Sequence, residues 1–211
     1  MGIVSLLGSL LCCAMILALF DSEDDSDKTK STISQSNQIV DSSFSSPSVN
    51  TDSILEIMKN DFRFSKDEFD DEGKVWVELI NQPSSRRINA YYCYFQMNGD
   101  KSVSNFRFVL QYESDDWLFI RNCIFNIDGD NIEFVPHKME RDNEGGRIWE
   151  WFDESVGRKN IGLIRKISKA KNVKVKLVGD QYYDTRTISS KQIASIGKVL
   201  EYYEKMGGKF Q

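Results

Sequence analysis

The stretch from Asp115 to Val135 most constrains the fold, because it carries the densest run of strand-forming residues around one tight turn. Alternate positions from Trp117 to Ile127 are largely apolar on both faces, which is typical of a strand buried on two sides. Asp128-Gly129 then supplies the positive φ angles that a two-residue hairpin turn requires. We therefore expect a β-hairpin whose first strand is an inner strand of the domain, with 131–135 as its partner.

Four further strand patterns precede this hairpin. Aromatic and β-branched residues with partial alternation predict strands at 62–64, 75–80, 89–97 and 103–112. Asn98-Gly99 joins the last two of them as a second tight turn, and Ser114 to Asp116 is expected to lead directly into the opening hairpin. Together these strands predict an antiparallel β-meander, either sandwich-like or a curved sheet.

The C-terminal part combines helical and strand periodicity. Isoleucines recur at helical spacing over 160–170 and predict an amphipathic helix. Alternation over 172–178, followed by Gly179-Asp180, predicts a hairpin completed by 181–188. A capping box formed by Ser189 and Gln192 predicts the start of a last helix. The expected fold class is therefore α+β, with a helix, a β-hairpin and a C-terminal helix after the meander.

The N-terminal region differs from the rest in composition. Residues 3–20 are 18 consecutive residues without a charge, the lower limit for a helix that spans a bilayer, so we expect 1–20 to be a single-pass transmembrane or signal-anchor helix. A cleaved signal peptide is the alternative, but no Lys or Arg precedes the run. The Ser- and Asp-rich segment 21–53 predicts a disordered tether. A capping box at Ser53-x-x-Glu56 then begins the single domain expected over 54–211, which we place at a membrane and outside the cytoplasm.

Three sequence words occur in a fixed order: WLFI at 117–120, GRIWEW at 146–151 and QYYDTRTISSKQ at 181–192. In order and spacing they resemble an uncharacterised group of bacterial proteins that are often anchored at the cell envelope or encoded near mobile elements. The similarity extends over about residues 60–205. The resemblance implies one domain of bacterial origin, and it implies no activity.

Positive charge is concentrated near the C-terminus. Residues 158–211 carry 13 Lys and Arg against 4 Asp and Glu, although the whole chain has a net charge of -5. We interpret the segment 158–186 as the contact surface of a membrane-anchored, non-enzymatic binding or interaction domain with an unknown ligand. The predicted ligand-binding residues are Arg165, Lys166, Lys169, Lys174, Lys176, Tyr182 and Arg186.

A protein or another anionic partner fits this charge. The negative net charge argues against a nucleic acid, since nucleic-acid-binding domains are usually basic. The membrane is a further predicted partner, through residues 3–20. The competing interpretation of the basic segment is a solvated helix face followed by edge-strand lysines that prevent aggregation.

A carbohydrate-active hydrolase is the alternative function. Its candidate groups are the carboxylates of the 140–154 loop, which alternate with Trp149, Trp151 and Phe152 as carboxylates flank an aromatic sugar platform. Solvated loop acids beside core tryptophans explain the same pattern. No catalytic residue is assigned on this basis.

The positions of the cysteines and of the single histidine limit the possible disulfide and metal sites. Cys93 and Cys123 lie in predicted strands, where they would form a disulfide outside the cytoplasm or act as two buried thiols. His137 is the only histidine, and no Cys/His cluster occurs. The turn at Asp128 to Asn131 lacks the spacing of a calcium loop. We therefore expect neither a metal nor a cofactor.

Overall fold

The computed structural model describes residues 50–66, 68–69 and 72–211. The predicted transmembrane helix at 1–20 lies outside the described residues, as does the predicted tether up to residue 49. Along the part of the chain that is described, no helix is both long and apolar enough to cross a bilayer.

The described residues form ten strands and three helices in an α+β arrangement. In chain order these are α1 (Thr51–Met58), β1 (Phe62–Lys66), β2 (Val75–Leu79), β3 (Ala90–Met97), β4 (Val103–Ser114), β5 (Asn122–Ile127), β6 (Asp130–Phe134), β7 (Glu140–Glu144), β8 (Arg147–Ser155), α2 (Ile161–Ile167), β9 (Val173–Val178), β10 (Tyr183–Ile188) and α3 (Ser190–Lys205). The predicted antiparallel strands and C-terminal helix are confirmed.

The strands form two antiparallel sheets. The larger sheet has six strands in the order β1-β2-β3-β4-β8-β7, so the predicted meander is present from β1 to β4. The smaller sheet has the order β10-β9-β5-β6. Its β5–β6 turn contains two residues with positive φ, Asp128 at 49° and Gly129 at 106°, as the sequence predicts.

The prediction for the first strand of this hairpin was wrong over residues 117–121. The strand β5 begins only at Asn122, and Phe119 has a φ of 57°, which is incompatible with an extended strand. The meander also does not continue into β5. Instead β4 pairs with β8, and the chain crosses from the larger sheet to the smaller one through residues 115–121.

Two turn details also differ from the prediction. The β3–β4 turn is longer than a two-residue Asn-Gly turn, because Lys101 takes the positive φ of 67° and donates its N–H to Asn98 O at 2.9 Å. Helix α1 begins three residues before the predicted start. Its N-cap is Asn50, whose Oδ1 accepts from Ser53 N at 3.2 Å, so the end of the predicted tether is helical.

The core lies between the two sheets and beneath the helices. Phe108 of β4 packs against Phe125 of β5, with ring centroids 6.2 Å apart, and against Phe134 of β6 at 6.3 Å. Helix α3 begins at the predicted capping box of Ser189 and Gln192 and places Tyr203 against Phe106 at 5.1 Å. The larger sheet therefore has an inner face on this core and an outer face away from it.

Candidate functional site

The predicted basic residues are divided among three places. Arg165 lies on α2, where its Nη2 binds Glu204 Oε1 at 2.7 Å and its guanidinium lies 5.5 Å from the Phe210 ring centroid. Lys166, also on α2, approaches Asp130 Oδ2 at 3.8 Å. Lys169 is exposed just beyond the end of α2. These three residues thus lie on α2 or directly after it.

Arg186 lies on β10 but faces inward. It pairs with Val175 across the strands, and directly paired residues share one face of a sheet. Its Nη2 binds Asp184 Oδ2 at 2.7 Å, and its guanidinium lies 5.3 Å from the centroid of the Tyr112 ring. Arg186 is therefore on the opposite side of the sheet from Lys174 and Lys176.

Lys174 and Lys176 occupy the outer face of the smaller sheet. The strand β9 buries Val173, Val175 and Leu177, and its alternation turns the two lysines to the other side. The neighbours on this side, taken from the strand pairings, are Asn122, Ile124, Asn126, Asn131, Glu133, Tyr183, Thr185 and Thr187. We call this set, with the two lysines, the lysine face. None of its residues is buried beneath another described part of the chain.

Aromatic rings lie at one end of the lysine face. The Lys176 ammonium sits 3.9 Å from the centroid of the Tyr183 ring, a cation–π contact that fixes both side chains. Tyr183 is 64% exposed, and the predicted contact residue Tyr182 next to it is 72% exposed. The ring face of Tyr183 that is turned away from the lysine is thus open to a partner.

The chemistry of the lysine face suits an anionic, hydrogen-bonding partner. Among the described residues, neither Lys174 nor Lys176 forms an ion pair with a carboxylate. Glu133 is the one acid of the face, and its Oε1 accepts from Asn122 Nδ2 at 2.5 Å. The threonine hydroxyls and asparagine amides add donors and acceptors between the charges.

The prediction missed Thr185 and Asn126, two of the neighbours that complete this face. The signal for Thr185 was available, because a hairpin at Gly179-Asp180 with alternating strands would place Thr185 opposite Lys176, where the structure has it. No local signal pointed to Asn126, since the pairing of β5 with β9 is a long-range contact between two different hairpins.

The carboxylates of the 140–154 region are bound by other parts of the protein. Glu150 is fully buried, with its Oε1 accepting from the N–H of Leu118 at 2.9 Å and of Phe119 at 2.8 Å. Its Oε2 accepts from Ile120 N at 2.8 Å and from Arg141 Nε at 3.0 Å. One side chain of β8 therefore holds three consecutive N–H groups of the crossing segment 115–121.

Asp153 and Glu154 are also acceptors within the fold. Asp153 accepts from Arg107 Nε at 2.7 Å and from the Tyr94 hydroxyl at 2.7 Å. Glu154 accepts from the backbone N–H of His137. The hydrolase alternative gains no support from these contacts and stays an untested prediction.

Cys93 and Cys123 are free, buried thiols that lie on different sheets, on β3 and β5. Burial raises the pKa of the Cys93 thiol well above its ordinary value and raises the pKa of Cys123 to about 12. Both side chains are therefore neutral at physiological pH and pack as small apolar groups.

No protein-family model matches the chain, and neither curated proteins nor solved structures provide a significant match to it. The case for a function therefore depends on the geometry of the described residues.

Proposed function

We propose that the protein is a non-enzymatic binding protein whose domain contacts an acidic protein partner through the lysine face. The observation that carries the proposal is the position of Lys174 and Lys176, which stand beside the open ring of Tyr183 on a sheet face that no described residue covers. An arrangement of ammonium groups, amides, hydroxyls and one aromatic ring is complementary to carboxylates interspersed with polar groups.

The number of charges favours a protein over a lipid surface. Recognition of anionic lipids by charge typically requires clusters of about four to eight Lys or Arg. The lysine face carries two, and Lys166 on α2 and Lys169 just beyond α2 are not part of it. A nucleic acid is disfavoured by the net charge of -5, and the face includes the carboxylate of Glu133.

The proposal places this domain at a membrane. Residues 3–20 would cross the bilayer once, and 21–49 would connect that helix to α1. A flexible chain of about 30 residues reaches on the order of 30 Å, enough for the domain to meet a partner beside the membrane. We propose that the domain lies outside the cytoplasm. Cys93 and Cys123 are buried, so thiol labelling of the folded protein would not report on which side of the membrane the domain lies. An epitope at the C-terminus, detected on intact and on permeabilised cells, is the better probe.

A cross-linking experiment tests the contact surface. A photo-cross-linking residue is placed at Thr185 in the full chain, in the middle of the lysine face, and is irradiated in cells. We expect one discrete protein adduct whose contact region is acidic. We expect the adduct to disappear when Lys174→Glu and Lys176→Glu are introduced together, because like charges then face each other.

The matched control is the pair Lys166→Glu and Lys169→Glu. It changes the net charge by the same amount within the same basic segment but lies on or next to α2. The adduct should survive in this control. Loss of the adduct in the control but not in the sheet pair would move the contact surface to α2, and an adduct only with lipid, or none at all, would overturn the proposal.

A further inference from the structure

A separate polar pocket lies on the outer face of the larger sheet, beneath the loop 80–89. Its volume is about 230 Å³, and it opens to solvent beside Ser84 and Ser85. The loop is held over the sheet by two arginines: Arg86 lies 5.4 Å from the ring centroid of Trp151, and Arg87 lies 4.9 Å from that of Trp149. The pocket is thus built from the sheet and a pinned loop.

Unpartnered polar atoms are concentrated in this pocket. Among the described residues, five buried side-chain atoms lack a hydrogen-bond partner, and three of them belong to residues that line it: Gln82 Oε1, Arg86 Nη1 and Gln111 Oε1. Gln82 is 9% exposed and Gln111 is 1% exposed. Because a buried polar group without a partner costs about 1–3 kcal/mol, three in one small pocket indicate a place for a ligand.

Each charged side chain that lines the pocket is already paired with an opposite charge. Arg63 Nε binds Glu78 Oε2 at 2.7 Å. Asp153 is shared by Arg107 at 2.7 Å and Arg86 at 3.5 Å. A strongly charged ligand would have to break these pairs, so the pocket favours a neutral ligand.

The free groups are both donors and acceptors. Gln82 and Gln111 each offer an amide oxygen, and Arg86 offers an N–H. The Tyr92 hydroxyl accepts from Gln111 Nε2 at 2.9 Å and keeps its own proton to donate, since burial raises the pKa of Tyr92 to about 12. A hydroxyl is the simplest neutral group that can donate to an amide oxygen while accepting from a guanidinium.

A ligand that pairs with all of these groups needs several hydroxyls on one compact framework, and a sugar ring has them. The volume is below the range of about 300–1,000 Å³ that holds drug-sized ligands, which limits the pocket to about one ring. From these observations we propose that the pocket beneath loop 80–89 binds one neutral sugar ring, with Gln82, Gln111, Arg86 and Tyr92 as its hydrogen-bonding partners. This site is independent of the lysine face.

Saturation-transfer NMR on the full chain tests the proposal. The protein is held in a detergent without a sugar headgroup, and the probes are the methyl glycosides of glucose, galactose, mannose and N-acetylglucosamine. We expect saturation transfer to at least one glycoside. We expect Gln111→Leu and Arg86→Gln each to weaken its binding at least about tenfold, which is the effect of losing one hydrogen bond in a buried site.

The control variant is Gln96→Leu, the same substitution on a β3 residue that does not line the pocket. It should leave the transfer unchanged. If Gln111→Leu does not fold, the result for Arg86→Gln tests the proposal. The Arg86→Gln variant is expected to fold, because Asp153 keeps its hydrogen bonds from Arg107 and Tyr94. Absence of transfer to all four glycosides, or equal transfer in wild type and Arg86→Gln, would overturn the proposal, and the unpartnered atoms would then be assigned to bound water.

Discussion

The two faces of the larger sheet differ in how their buried polar groups are hydrogen-bonded. On the inner face, both oxygens of the Glu150 carboxylate are occupied, by three backbone N–H groups and by Arg141. On the outer face, Asp153 borders a pocket in which Gln82, Arg86 and Gln111 keep unpartnered atoms. Both regions bury polar atoms, yet only the inner one provides all of them with hydrogen-bond partners from within the chain.

This difference separates a structural polar site from a site that can receive a ligand. A buried carboxylate with every acceptor used stabilises one conformation of the segment that it binds, and it has no capacity left for a substrate. A pocket with free donors and acceptors lowers its free energy when a matching molecule enters. Substitutions on the two faces should therefore have opposite consequences for stability and binding.

The largest effect is expected for Glu150→Ala. It leaves three N–H groups and the Arg141 guanidinium without their acceptor, and breaking a buried ion pair typically costs about 3–5 kcal/mol. We expect a loss of that size in the free energy of unfolding of the full chain, measured by urea denaturation. Glu144→Ala, at an exposed carboxylate in the β7–β8 hairpin, is the control and should change stability by less than about 0.5 kcal/mol. Similar values for the two variants would show that Glu150 does not hold the crossing segment.

An intermediate effect is expected from the alkaline titration of Tyr92. Its pKa is about 12 in the folded protein against 10.0 in an unfolded chain, mainly because of burial. The neutral form therefore stabilises the fold fully below pH 10, and this contribution is lost as pH rises from 10 towards 12. Tyr92→Phe should flatten the fall of stability over that window, by up to about 1.4 kcal/mol per pH unit. The two proteins should show the same pH dependence between pH 6 and 8, and identical curves above pH 10 would contradict the prediction.

The smallest effect on stability is expected for Gln111→Leu. It removes one unpartnered oxygen, which favours folding, and one hydrogen bond to Tyr92, which opposes it, so the two changes nearly cancel. We expect the free energy of unfolding to stay within about 1 kcal/mol of the wild type, whereas sugar binding weakens at least about tenfold. A loss as large as that of Glu150→Ala would mean that the buried polar groups on both faces of the larger sheet are structural.

Much of the fold follows from local patterns. The Asp128-Gly129 turn, the capping box of Ser189 and Gln192, and the alternation of β9 all appear in the structure where the sequence places them. Each depends on residues within a few positions of one another, and short-range preferences are strong there. The side of the sheet to which Lys174 and Lys176 point also follows from this alternation.

The candidate sites depended on contacts that no local pattern encodes. The grouping of Asn126 with the lysines required the order of the strands. Likewise, the polar pocket joins Gln82, Gln111 and Asp153 from a loop and two strands. Strand order results from packing of the whole core, so residue spacing could not reveal these groupings.

The segment Trp117 to Arg121 shows which features the sequence determines and which ones depend on the tertiary structure. Its sequence by itself predicted the burial of Leu118 and Ile120 and the hairpin at Asp128-Gly129, but Phe119, also expected to be buried, is 45% exposed. Only the tertiary structure decided that the segment is irregular and not a strand. The reason is Glu150, about 30 positions away in sequence, whose carboxylate accepts hydrogen bonds from three consecutive N–H groups of this segment.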